Sequence, residues 1–198
     1  MRVLMVRAHP VRESLLQAAG DRAAHAITRA GHELRQLDLY ADGFEPTVSE
    51  EEWRAHDSGA ALSASLQSYA DSLHWAEHLV LVYPTWFGGF PAMLKGWLDR
   101  VWVRGVAHGA TAGSWCTRSR LRHITQLTVV TTHGGSKFMN ALGGEPGRRM
   151  VRRRIRSLCS WSCRPRWVAL YGNDRCTPAK RVEFLDTVER RLGRPGPE

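Results

Sequence analysis

Three short stretches of the 198-residue sequence hold residue types suited to binding a ligand. The first, Ala8-His9-Pro10-Val11-Arg12-Glu13-Ser14, ends on a serine just ahead of an apolar-periodic run. Free backbone N–H groups and the positive end of a helix dipole at that point suit a phosphate, with His9 and Ser14 as side-chain partners. The stretch has neither the Gly-x-Gly-x-x-Gly of a dinucleotide fold nor a P-loop lysine. Ser14 acting only as a helix cap, with His9 at the surface, accounts for the same residues. The second stretch, Pro84-Thr85-Trp86-Phe87-Gly88-Gly89-Phe90-Pro91, packs three aromatics, two glycines and two prolines into eight residues. Rigid aromatic surface in a loop suits stacking on a planar ring, although an aromatic cluster also serves a core. The third, Thr131-Thr132-His133-Gly134-Gly135-Ser136, pairs glycines where backbone comes close to something or turns sharply. An ordinary strand-to-helix turn reads the same way, and His133 alone is no evidence of catalysis.

The flanking residues alternate strand and helix. Arg2 to Val6 reads as a strand, and Leu16, Ala19, Ala23, Ile27 and Ala30 then recur at the spacing of a one-sided helix closed by Gly31. Glu33 to Leu39 alternates as a second strand. Ser49 followed by glutamates starts a short helix, and Leu62 to Trp75 forms another. His78 to Tyr83 is continuously apolar, as a parallel strand buried on both faces should be. Leu94, Trp97, Leu98, Val101 and Trp102 mark one helix face, Leu127 to Thr132 a fourth strand, Trp167 to Tyr171 a fifth, and Pro178 opens a last helix to about Leu192. Gly105 to Arg122 shows no clear periodicity, and the tail from about Gly193 looks frayed. Five strands interleaved with helices predict one α/β domain built on a doubly wound, five-stranded parallel sheet in three layers. In such a sheet, ligands sit at the carboxyl ends of the strands, where the three stretches fall.

Composition limits the alternatives. Hydrophobic residues at 43% and charged residues at 24% are those of a globular chain, and no apolar run approaches the ~20 residues of a membrane span. The N-terminus lacks a signal-peptide pattern, so a cytoplasmic protein is expected. The four cysteines, Cys116, Cys159, Cys163 and Cys176, read as reduced thiols, and no metal site is expected. The net charge of +9 is concentrated in the six arginines between Arg148 and Arg156. Met150, Val151, Ile155 and Leu158 fall on one stripe of that segment, so the arginines read as the solvated face of an amphipathic helix and not as a nucleic-acid site.

Taken together, the chain resembles the flavodoxin-like NAD(P)H quinone reductases, the family of DT-diaphorase and of the ancillary oxidoreductases of potassium efflux systems. Carrying the resemblance are Ala8-His9-Pro10 with Ser14, Gly31-His32-Glu33 with Leu37-Asp38-Leu39-Tyr40, Thr132 to Gly135, and above all Tyr83-Pro84-Thr85-Trp86-Phe87 through Pro91-Ala92-Met93-Leu94-Lys95-Gly96-Trp97-Leu98-Asp99-Arg100-Val101. It implies a flavin, FAD or FMN, with NAD(P)H as co-substrate and a quinone-like small molecule as acceptor. It places His9, Ser14, Leu15 and Leu16 at the flavin phosphate, Pro84, Thr85, Trp86 and Phe87 along the ring, and Thr132, His133, Gly134 and Gly135 at its pyrimidine side. His133 is the candidate for proton delivery. Two departures stand out. Leu15-Leu16 replaces a Phe-Asn pair at the phosphate, and Asn140 and Pro146 stand where some members place a tyrosine and a histidine beside the quinone. The family, with the large apolar residues around Trp97 and Trp102, points to a homodimer. A regulatory flavoprotein docked peripherally on a membrane protein is the alternative to a free-standing enzyme.

Overall fold

A computed structural model describes residues 1–58, 62–109 and 118–193, the side chains of 56–58 excepted; Cys116 and the tail beyond Gly193 lie outside the described residues. Five strands, β1 (Arg2–Arg7), β2 (Glu33–Asp38), β3 (His78–Pro84), β4 (Gln126–His133) and β5 (Arg164–Tyr171), form one sheet in the order β2-β1-β3-β4-β5. Every neighbouring pair is parallel. The doubly wound sheet expected from the sequence is therefore present.

Alternation along the strands explains why both faces are covered. In β1, Val3 and Met5 point to one face and Leu4 and Val6 to the other, and all four are fully buried. The first face packs against α1 (Leu15–Arg29) and α8 (Pro178–Leu192) through Ala19, Ile27, Phe184 and Val188. The second packs against α3 (Ala64–Trp75), α4 (Ala92–Val101) and the arginine-rich helix through Leu73, Leu94, Trp97, Val151 and Ile155. Trp97 and Trp102 are 0% and 8% exposed, so they belong to this core and form no dimer surface.

Local chemistry sets several helix ends. At α2 (Glu50–Ser58), Ser49 Oγ accepts from Glu52 N at 3.1 Å while Glu52 Oε2 accepts from Ser49 N at 3.2 Å, a reciprocal capping box. Gly31 follows α1 at φ +78°, a left-handed position that glycine adopts without strain.

Two expectations need correction, and one helix was not anticipated. Strand β5 starts at Arg164, three residues before Trp167. A short helix, α5 (Lys137–Leu142), has no sequence periodicity to betray it, because none of its residues is buried. The arginine-rich segment is not one regular helix: α6 (Pro146–Met150) passes through a π-helical turn (Val151–Ile155) into α7 (Arg156–Leu158). The wider turn rotates the buried stripe, so Val151 and Ile155 face the core while Met150 is 38% exposed. Among the described residues no helix is long and apolar enough to cross a membrane.

Candidate functional site

The carboxyl ends of the adjacent strands β1, β3 and β4 carry the three loops singled out by their residue types. After β1, Ser14 caps α1 by accepting from Gln17 N at 3.2 Å. Its hydroxyl hydrogen stays free to donate, and the N–H groups of Leu15 and Leu16, in the first helical turn, have no intrahelical acceptor. The Leu16 side chain, 2% exposed, is core, so this residue can offer a ligand only its backbone. His9 Nδ1 lies 3.0 Å from Val11 N and 3.1 Å from Val11 O, so the loop backbone occupies that nitrogen while Nε2 has no partner among the described residues. Partial burial lowers the His9 pKa, against a smaller opposing effect of the Val11 carbonyl. Capping and anion binding are therefore compatible here, since each uses different atoms.

The loop after β3 forms a tight turn in which Trp86 N donates to Gly89 O at 3.2 Å and Gly89 N to Trp86 O at 2.8 Å. Both central residues have positive φ, +49° at Phe87 and +70° at Gly88, as a type I′ turn requires. For phenylalanine this left-handed conformation costs roughly 1–2 kcal/mol. It throws the Phe87 ring fully into solvent, with Trp86 beside it at 64% exposure. Large aromatic rings held out of the core by a strained turn await a partner surface. The first helical residues of α6 buttress the turn, since Gly147 N donates to Gly88 O at 3.0 Å.

Thr85 ties the second loop to the third: its N and Oγ1 both donate to Thr132 O at 3.0 Å. In the third loop the amides of Gly134 and Gly135 donate to no acceptor among the described residues. A Cβ on Gly134 would lie 2.7 Å from Asp174 Oδ2, so a side chain there would have to push the Asp174 carboxylate aside.

His133 is 1% exposed. Its ring stacks on Tyr171, with centroids 4.4 Å apart and planes at 12°. Asn140 Nδ2 donates to the carbonyls of Gly135 and Ser136, which leaves Oδ1 to accept from His133 Nδ1 at 2.8 Å. Burial lowers the His133 pKa, and Nε2 is a buried lone pair without a partner. Tyr171 donates to Glu145 Oε1 at 2.7 Å, and burial with that carboxylate pushes its pKa up to about 12. Burial opposes ionisation of Glu145, yet the bonds from Tyr171 and Arg148 hold its pKa below the usual value. His133 is thus an enclosed ring held by Asn140 and Tyr171.

Sequence reading had not singled out Tyr171, Glu145 or Asp174 for this site. Tyr171 could have been found, since it ends β5 at the same edge of the sheet; Glu145 and Asp174 give no such signal.

A family model described as flavodoxin-like fold matches residues 1–162. A ribosyldihydronicotinamide dehydrogenase-like protein of Penicillium crustosum is 32% identical over 164 residues, 72% of this chain, and the match spans only 61% of that relative. An NAD(P)H dehydrogenase (quinone) of Rattus norvegicus is 29% identical over 96% of this chain and 76% of its own. Among solved structures, an NAD(P)H:quinone oxidoreductase from Methanothermobacter marburgensis superposes with a TM-score of 0.83 at 25% identity, covering 98% of this chain and 94% of the other. By its matched residues and its β2-β1-β3-β4-β5 parallel sheet, the chain belongs to the flavodoxin-like fold family.

Proposed function

We propose that the protein is a flavin-dependent NAD(P)H oxidoreductase acting on quinones or similar small acceptors, as a homodimer. The observation that carries this reading is the solvent-facing Trp86-Phe87 turn, set between a phosphate-type helix start and a loop of unpaired glycine amides. These parts fit a planar ring with a phosphate tail, and the Penicillium, rat and Methanothermobacter proteins bear names of the same reaction class. When bound, a flavin supplies two-electron redox chemistry between NAD(P)H and the acceptor.

The chain's own part is binding and orientation. Ser14, the Leu15 and Leu16 amides and His9 Nε2 hold the phosphate; Trp86 and Phe87 wall the ring. The Gly134 and Gly135 amides stand as fixed donors for the ring edge where negative charge gathers on reduction. Thr85, Asn140 and Tyr171 fix the third loop around His133, which acts as a positioning residue. With a flavin held against Trp86 and Phe87, donor and acceptor would share its exposed face, and ping-pong kinetics are expected.

Refolding or reconstitution with FMN and with FAD, followed by absorption spectroscopy and NADPH-driven reduction of a benzoquinone, tests the proposal. One flavin per chain and turnover without a partner protein are expected. A chain that takes up neither flavin while its circular dichroism is native overturns it.

A further inference from the structure

The arginine-rich segment does more than present a solvated face. It runs down one face of the sheet beside β5, which is an edge strand. Between them opens a cavity of about 600 Å³ lined by Arg148, Arg152, Arg156, Arg164, Pro165 and Trp167, with no carboxylate among them. Arg148 is paired with Glu145. Arg156 donates to two neutral carbonyls, those of Cys163 and Trp161. The side chains of Arg152 and Arg164 have no partner among the described residues. Arg148, Arg152 and Arg156 line the same cavity, and like charges so gathered repel one another until an anion enters. Arg148 Nε is in addition a buried donor without an acceptor.

Bonded side chains tie the head of the groove to the site already described. Arg148 bonds Glu145, Glu145 bonds Tyr171, and Tyr171 stacks on His133 in the third loop. Gly147, in the first turn of α6, donates to Gly88 O in the aromatic turn. From there to Arg156 the segment descends roughly 15 Å at helical rise. Guanidinium forks match phosphate oxygens in pairs, and the Trp167 ring offers an aromatic wall. A ligand with a ring at the aromatic turn and a doubly phosphorylated nucleoside at its other end would span both.

We propose that this groove is the subsite for the adenosine half of NADPH, with Arg152, Arg156 and Arg164 holding its 2′-phosphate, so that the protein prefers NADPH to NADH. The inference rests on the proposed oxidoreductase reading for its ligand, but its test does not depend on turnover. Adenosine 2′,5′-bisphosphate is titrated calorimetrically into the flavin-loaded protein, with adenosine 5′-monophosphate as the comparison. The bisphosphate is expected to bind at least ~10-fold tighter, and Arg152→Gln with Arg164→Gln to remove that margin, since each charge-assisted bond is worth about tenfold. The same double variant should lower the NADPH to NADH ratio of kcat/KM by tenfold or more, whereas Arg190→Gln on α8 should not change it. Failure of the bisphosphate to bind overturns the proposal, as does binding that survives the double substitution. Inorganic polyphosphate or RNA bound by the same arginines, without competition from the bisphosphate, also overturns it in favour of a polymer surface. If the chain takes up no flavin and oxidises neither nucleotide, the titration is run on the protein as purified. Bisphosphate binding lost in the double variant then upholds the groove while the oxidoreductase reading fails.

Discussion

Trp86 and Phe87 show at the scale of single residues how exposure decides between two roles that the sequence leaves open. A tryptophan buried in a core costs several kcal/mol when truncated, because a cavity remains. Trp86 is 64% exposed, so Trp86→Ala should leave the melting temperature of the flavin-free protein nearly unchanged. Flavin affinity should instead fall by about tenfold or more, since an aromatic contact adds ~0.5–1.5 kcal/mol to the area it buries. A weakened apo-protein with an unaltered flavin dissociation constant would make the loop scaffold. His78 is the opposite case. It is 5% exposed between β3 and β4, with Nε2 2.9 Å from Thr128 Oγ1, and burial lowers its pKa to about 3, helped by Arg166 and His32. Its folded pKa lies below the unfolded value near 6.5, so the unfolded chain alone gains a proton as pH falls between them. Stability is therefore complete above pH 6.5 and drains away toward pH 3 at ~1.4 kcal/mol per pH unit. Urea unfolding at pH 7 and pH 5 should show a loss of about 2 kcal/mol from this group, absent in His78→Gln. Equal slopes for the two proteins would mean that His78 is charged in the folded state.

Among the elements, α4 explains why Gly96 stands in the middle of a helix, where glycine costs ~1 kcal/mol relative to alanine. A Cβ there would sit 2.3 Å from Pro46 O and 2.5 Å from Pro46 Cα, so the loop between β2 and α2 crosses directly over the helix backbone. Arg100, one turn further on, clamps the same loop by donating to the Glu45 carbonyl within it and to Glu52 at the start of α2. Gly96→Ala gains helix propensity but must displace backbone, so a net loss of about 1–3 kcal/mol is expected, read as a drop of several degrees in melting temperature. An unchanged melting temperature would show that the crossing is looser than the structure has it. Elements with a strong apolar period were legible in the sequence: β3 as an unbroken apolar run, α4 as a heptad-like stripe, α2 by its capping serine and glutamate. Those the sequence hid lack that signal. Helix α5 buries nothing, and the π-helical turn shifts the stripe of the arginine segment by a residue that no periodicity of 3.6 anticipates. The site was legible to the same degree. Its loops were found because strand ends and odd composition coincide, whereas the Glu145–Tyr171–His133 cluster is made by tertiary contact between residues far apart in the chain.

For the whole molecule, the doubly wound sheet buries both faces yet leaves large apolar side chains exposed, one group of them near the carboxyl ends of the strands. Phe138, Met139 and Leu142 of α5 are 74%, 58% and 73% exposed, next to the loop whose neighbour throws out Trp86 and Phe87. Exposed apolar side chains grouped on one short helix mark a candidate interaction surface. Trp97 and Trp102, which first suggested a homodimer, lie in the core and cannot supply the interface; the α5 patch can. Two copies meeting through it would form a symmetric contact, the commonest arrangement among soluble oligomers, with both aromatic turns close to the interface. Light scattering at micromolar concentration should then give twice the 22.3 kDa chain mass. Phe138→Ser with Leu142→Ser should return that mass to a single chain without unfolding it, because neither side chain belongs to the core. A monomer mass for the unaltered protein ends the homodimer proposal, and a dimer that survives the double substitution moves the interface away from α5.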